Sequence, residues 1–105
     1  MLNHQLTFPH EKITIFCQKW NVVEFALFGS VLRTDFNQSS DVDVLVTFAP
    51  NCQISLFDLA QMQLELQMFF SRPVDLVEKS SLKNPYRKSE IIESAQIMFQ
   101  SENQP

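Results

Sequence analysis

Asp41 and Asp43 stand two residues apart in the run Asp41-Val42-Asp43-Val44-Leu45-Val46-Thr47-Phe48. On a strand, side chains at i and i+2 share a face, so this spacing brings two carboxylates within several ångströms of each other. Their mutual repulsion costs stability unless a cation lies between them, and hard oxygen donors are what Mg²⁺ or Mn²⁺ prefers. A solvated strand end with two ordinary surface aspartates is the other reading of the same pair. A second feature lies upstream at Phe28-Gly29-Ser30. Average usage would give a chain of this length about seven glycines; this one has a single glycine, Gly29. Glycine there lets the backbone turn sharply and lets a ligand approach the main chain. Ser30 and the following amides would open a helix, whose N-terminus favours anions. That combination is a phosphate cradle, although a turn glycine followed by a capping serine reads the same way locally.

The elements that would hold these residues follow from periodicity. Pro9 suits a first helical turn, and Ile13, Phe16, Cys17 and Trp20 fall at i, i+3, i+4 and i+7, which predicts an amphipathic helix over 9–20. Val22 to Phe28 is β-branched and aromatic and ends at Gly29, as a buried strand does. Asp41 to Phe48 alternates Asp41, Asp43, Leu45 and Thr47 with Val42, Val44, Val46 and Phe48, predicting a second strand. Ser55 is the expected N-cap of a helix through Leu59, Met62, Leu66 and Phe69, with Asp58 at its positive end, stopping before Arg72-Pro73. Val74 to Val77 reads as a short strand. Asn84-Pro85 reads as the cap and first turn of a last helix carrying Ile91, Ile92, Ala95, Met98 and Phe99, with Ser101 to Pro105 frayed. The layout is α/β or α+β: a small mixed sheet of three or more strands packed with helices.

Composition excludes several classes. At 105 residues, 45% hydrophobic and 19% charged, the chain has the size and balance of one globular domain spanning 1–105. Its apolar runs fall far short of the roughly 20 residues a membrane helix needs, and the first residues have neither the basic start nor the apolar run of a secretory signal, so a cytoplasmic home without membrane contact is expected. The net charge of −4 disfavours direct nucleic-acid binding. Cys17 and Cys52 are too few and too far apart for a disulfide framework and have no zinc-ligand spacing around them. Four of the eight cations, Lys79, Lys83, Arg87 and Lys88, fall within ten residues, either as a solvated helix start or as a phosphate or partner contact. Asp35-x-Asn37-x-Ser39 begins like a calcium loop but fails at Ser40 and Val46, where the glycine and the closing glutamate belong.

Gly29-Ser30, ten residues, then Asp41-x-Asp43 resembles the signature of the nucleotidyltransferase superfamily related to DNA polymerase β. The longer runs Phe28 to Phe36 and Ser39 to Val46 are similar to the minimal nucleotidyltransferases of prokaryotic toxin–antitoxin pairs. The resemblance implies a polymerase β-like fold in which Asp75, within Arg72-Pro73-Val74-Asp75-Leu76-Val77, joins Asp41 and Asp43 as the third metal ligand. It further implies two Mg²⁺ ions, or Mn²⁺, with ATP as substrate and Gly29 and Ser30 holding the triphosphate. Arg33, one helical turn after Ser30, could reach a phosphate or brace Asp41. Larger relatives carry a second domain for the acceptor, for which this length has no room. The acceptor implied by the resemblance is a tyrosine hydroxyl on a partner HEPN-domain ribonuclease toxin, modified with AMP and silenced in a hetero-oligomer. A catalytically idle antitoxin that blocks the toxin by binding is the alternative.

Overall fold

The structure, a computed structural model, describes residues 8–29 and 41–101. In chain order the elements are α1 (His10–Trp20), β1 (Val22–Phe28), β2 (Val42–Phe48), α2 (Leu56–Phe70), β3 (Val74–Glu78), a 3₁₀ turn (Lys79–Ser81), α3 (Pro85–Ser94) and β4 (Gln96–Gln100). The four strands form one mixed sheet in the order β3-β2-β1-β4. β1 is antiparallel to both β2 and β4, whereas β2 and β3 run parallel. The expected α+β arrangement is therefore present. The helix expected to follow Ser30 lies outside the described residues.

Alternation along the strands sorts side chains onto two faces. Phe25 and Leu27 of β1, Val42, Val44 and Val46 of β2 and Val74 of β3 join Ile13, Phe16 and Cys17 of α1 and Met62, Leu66 and Phe70 of α2 in the larger apolar cluster. The opposite face holds a smaller cluster, Ala26, Phe28, Leu45 and Ile91, against which Val77, Leu82 and Ala95 pack. Ile91 is the buried residue of α3 and fastens that helix to its face of the sheet.

Local chemistry sets the helix ends. The Asp58 N–H donates to Ser55 Oγ at 3.1 Å and the Ser55 N–H to Asp58 Oδ2 at 3.0 Å, a reciprocal capping box. Asn84 Oδ1 accepts from the N–H groups of Tyr86 and Arg87, and Pro85 occupies the first turn of α3. Asn21 and Ser71 close α1 and α2 in the left-handed conformation that glycine usually supplies. The two helices are also clamped to each other: Glu65 accepts from Lys19 Nζ at 2.8 Å, Trp20 Nε1 at 3.1 Å and Gln61 Nε2 at 3.1 Å. Desolvation by itself would raise the Glu65 pKa, but those three donors and the Lys19 charge outweigh it and hold the carboxyl below its ordinary value.

One expectation is corrected. The last helix ends at Ser94, and Met98 and Phe99 lie on a fourth strand, β4, paired with β1 through Phe25–Phe99 and Ala26–Ile97. Ala95 takes an extended conformation (φ −70°, ψ 142°), which ends the helix and starts the strand. Ser101, expected to be frayed, donates its N–H to the Val23 carbonyl at 2.8 Å; the remaining tail, 102–105, lies outside the described residues.

Cys17 is fully buried, and desolvation pushes its thiol up to about 12. Cys52 is half-buried in the connection between β2 and α2. With an aromatic disulfide reagent at pH 8, one thiol equivalent is expected to react in the native protein and a second only in denaturant. Substitution of Cys52 should remove the fast equivalent.

Candidate active site

The parallel pairing of β2 with β3 does the positioning. In its register Val42 pairs with Val74, Asp43 with Asp75 and Val44 with Leu76, so the two aspartates sit side by side on neighbouring strands. Strand spacing alone places their backbones about 4.8 Å apart with side chains on one face. The Val42 N–H donates to the Pro73 carbonyl at 2.9 Å and holds the start of this ladder. On the other side of β2, Asp43 pairs with Phe28, the last residue of β1, and Gly29 follows immediately.

Gly29 has φ +74°, and a Cβ built there would overlap Oδ2 of Asp43. Two independent reasons thus require glycine: the left-handed backbone and the carboxylate pressed against it. Gly29→Ala should cost about 1–2 kcal/mol from the backbone term and in addition push Asp43 aside. A displaced reacting group can cost about 10²-fold in rate, so we expect transfer to fall far more than the melting temperature, measured as kcat alongside a thermal melt.

Among the described residues, Phe28, Gly29, Asp43 and Asp75 line a cleft of about 250 Å³ together with Arg87, Glu90, Ile91 and Ser94 of α3. Asp41, immediately before β2, is exposed and does not line this cleft. Ser30 and Arg33 lie outside the described residues. Of the expected metal ligands, Asp43 and Asp75 are brought together. No three acidic, His or Cys side chains among the described residues converge as a metal-holding cluster. The donor chemistry nevertheless fits a hard divalent cation, because what faces the cleft on β2 and β3 is carboxylate oxygen, without thiol or imidazole.

Glu90 and Ser94 were not foreseen as a wall of the site, and Arg87 only as one of four clustered cations that could contact a phosphate or a partner. The signal for them was present: residues 87, 90, 91 and 94 are spaced i, i+3, i+4 and i+7, so anchoring Ile91 turns the other three the same way. A larger groove of about 600 Å³ lies at the far end of β2 and β3, beside Phe48, Cys52, Ser55 and Glu78. Size does not locate chemistry here, since its Ser55 and Asp58 are engaged in the cap of α2.

The profile for the nucleotidyltransferase domain matches residues 10–98, and with that span the chain belongs to the nucleotidyltransferase family of enzymes. Among relatives, the protein adenylyltransferase MntA of Thermococcus cleftensis is 36% identical over 72 residues, covering 69% of this chain and 71% of its own. A candidate protein adenylyltransferase of Methanocaldococcus jannaschii is 36% identical over 84 residues, covering 80% and 82%. Among solved structures, a candidate minimal nucleotidyltransferase superposes with a TM-score of 0.68 at 29% identity, over 83% of this chain and 86% of that one. A toxin–antitoxin complex solved with AMP-PNP superposes with a TM-score of 0.72 at 18% identity, over 90% and 76%, a likeness of fold. No helix among the described residues is long and apolar enough to cross a membrane.

Proposed function

We propose that this chain is an antitoxin that transfers AMP from ATP to a tyrosine hydroxyl of a partner HEPN-domain ribonuclease toxin and thereby neutralises it. The observation that carries the reading is the in-register pair Asp43 and Asp75 at the mouth of a cleft whose corner is Gly29. Relatives named protein adenylyltransferase support AMP as the group moved. A neighbour in fold, an MNT antitoxin in complex with a tri-AMPylated HEPN toxin of Shewanella oneidensis, supports the acceptor and the hetero-oligomer.

In this reading Asp41, Asp43 and Asp75 hold two Mg²⁺ ions, or Mn²⁺, which when bound lower the pKa of the acceptor hydroxyl and neutralise the leaving pyrophosphate. The chain's own task is position and charge. Asp43 and Asp75 fix the place where the cations and the α-phosphate meet, Gly29 lets the phosphates approach the backbone, and Ser30 and Arg33 grip the triphosphate tail. The protein works in the cytoplasm, with neither membrane nor nucleic acid as a direct partner.

A stoichiometric inhibitor without transfer is the second reading, favoured by the lack of a converged three-ligand cluster among the described residues. The two are separated by incubating the chain with its cognate toxin, Mg²⁺ and ATP labelled on the α-phosphate. Label covalently attached to the toxin, together with loss of ribonuclease activity, is the expected result. Full ribonuclease inhibition with no label would establish the binding-only reading instead.

A further inference from the structure

Resting on the nucleotidyl-transfer reading, we infer that Arg87 is a phosphate-binding residue of the site, gripping the β- and γ-phosphates of the nucleotide from the α3 side of the cleft. Two separate facts lead there. First, α3 is fixed at both its start and its middle: Asn84 and Pro85 set the first turn, and Ile91 is buried against Ala26, Phe28 and Leu45. With those points fixed, Arg87, one turn before Ile91, faces the cleft that Gly29, Asp43 and Asp75 line. Second, Arg87 is the one cation lining that cleft among the described residues, across from Asp43 and Asp75 of the sheet. Elsewhere on the sheet and helices, Lys19 and Lys79 are committed to Glu65 and Glu24 at 2.8 and 3.3 Å, whereas no ion pair of Arg87 is found among the described residues.

A nucleoside triphosphate carries the anionic charge that such a guanidinium matches. Its planar fork of donors suits two phosphate oxygens at once, which a lysine ammonium cannot reproduce. Glu90, one turn further along the same wall, repels phosphate. The triphosphate tail is therefore drawn to the start of α3, and the end nearer Glu90 and Ser94 is left to the rest of the nucleotide or the acceptor.

The test is equilibrium binding of a non-hydrolysable ATP analogue and of AMP, both with Mg²⁺, to the full chain and to Arg87→Gln, Arg87→Lys and Lys83→Gln. Lys83→Gln makes the same change in net charge at an exposed position outside the cleft. We expect Arg87→Gln to weaken the triphosphate analogue roughly 10- to 100-fold, the range for a lost charge-assisted hydrogen bond. AMP affinity should stay within about twofold, Arg87→Lys should recover part of the loss, and Lys83→Gln should match the parent; the thermal melts report folding. An equal loss for AMP and the triphosphate would mean that Arg87 merely supports the fold, and the assignment fails. Unchanged triphosphate affinity with weaker labelling of the toxin would move Arg87 to the acceptor and also overturn it. If the parent chain shows no Mg²⁺-dependent affinity for the analogue, the nucleotidyl-transfer reading itself falls, and this inference with it.

Discussion

Asp43→Asn should reduce AMP transfer by about 10³-fold or more while leaving the protein folded. Asp43 and Asp75 face each other across the parallel ladder. Asn keeps the shape of the aspartate beside Gly29 but removes the charge that would draw a divalent cation, whose stabilisation of the transferring group amounts to several kcal/mol; at 1.36 kcal/mol per factor of ten this gives the stated loss. A pair of thermal melts gives a check that needs no turnover. Mg²⁺ with an ATP analogue should raise the melting temperature of the parent by mass action and barely move that of the variant. If the variant were stabilised by Mg²⁺ as strongly as the parent, the metal would lie elsewhere.

The largest effect on stability is expected at Phe25. It is completely buried, lies in the middle of β1 between β2 and β4, and meets Phe16 edge-on at 6.2 Å and Phe8 at 6.1 Å. Truncating a buried Phe to Ala costs about 3–5 kcal/mol, and native domains are stable by only about 5–15 kcal/mol. Phe25→Ala should therefore lower the melting temperature by roughly 15 °C or more and shift the urea midpoint with little change in slope. Because β1 also carries Phe28 and Gly29 into the site, any protein that remains folded should keep its affinity for nucleotide. A fall of less than 1 kcal/mol would mean that the neighbouring aromatic rings close the gap.

Residues whose causes are local were readable from the chain. Ser55 with Asp58, and Asn84 with Pro85, cap helices through groups at most three positions away, so the sequence contains the whole cause. The same holds for the period-two alternation of β2, which put Asp43 on one face and Val42 and Val44 on the other. β4 was not readable. Gln96 to Gln100 continues the apolar spacing of α3, and what makes it a strand is its pairing with β1, some seventy residues earlier. Glu90, and which of the four clustered cations would face the cleft, were hidden for a related reason: their direction depends on where Ile91 lands, a property of the assembled sheet. Asp75 falls between these cases, since its partner across the ladder could be named only through family resemblance.

The β2–β3 ladder also makes the site a reporter of folding order. Asp43 and Asp75 come from strands joined through the whole of α2 and become neighbours only once a parallel, long-range pairing has closed in the correct register. Such pairings form late, because the entropy of closing the intervening chain is lost before any contact rewards it. A slip of one residue would turn the carboxylate of one strand towards the valine core. In a refolding experiment, helical signal from α1, α2 and α3 should therefore return before nucleotide affinity does. The interval between the two signals is the time the sheet needs to find its register.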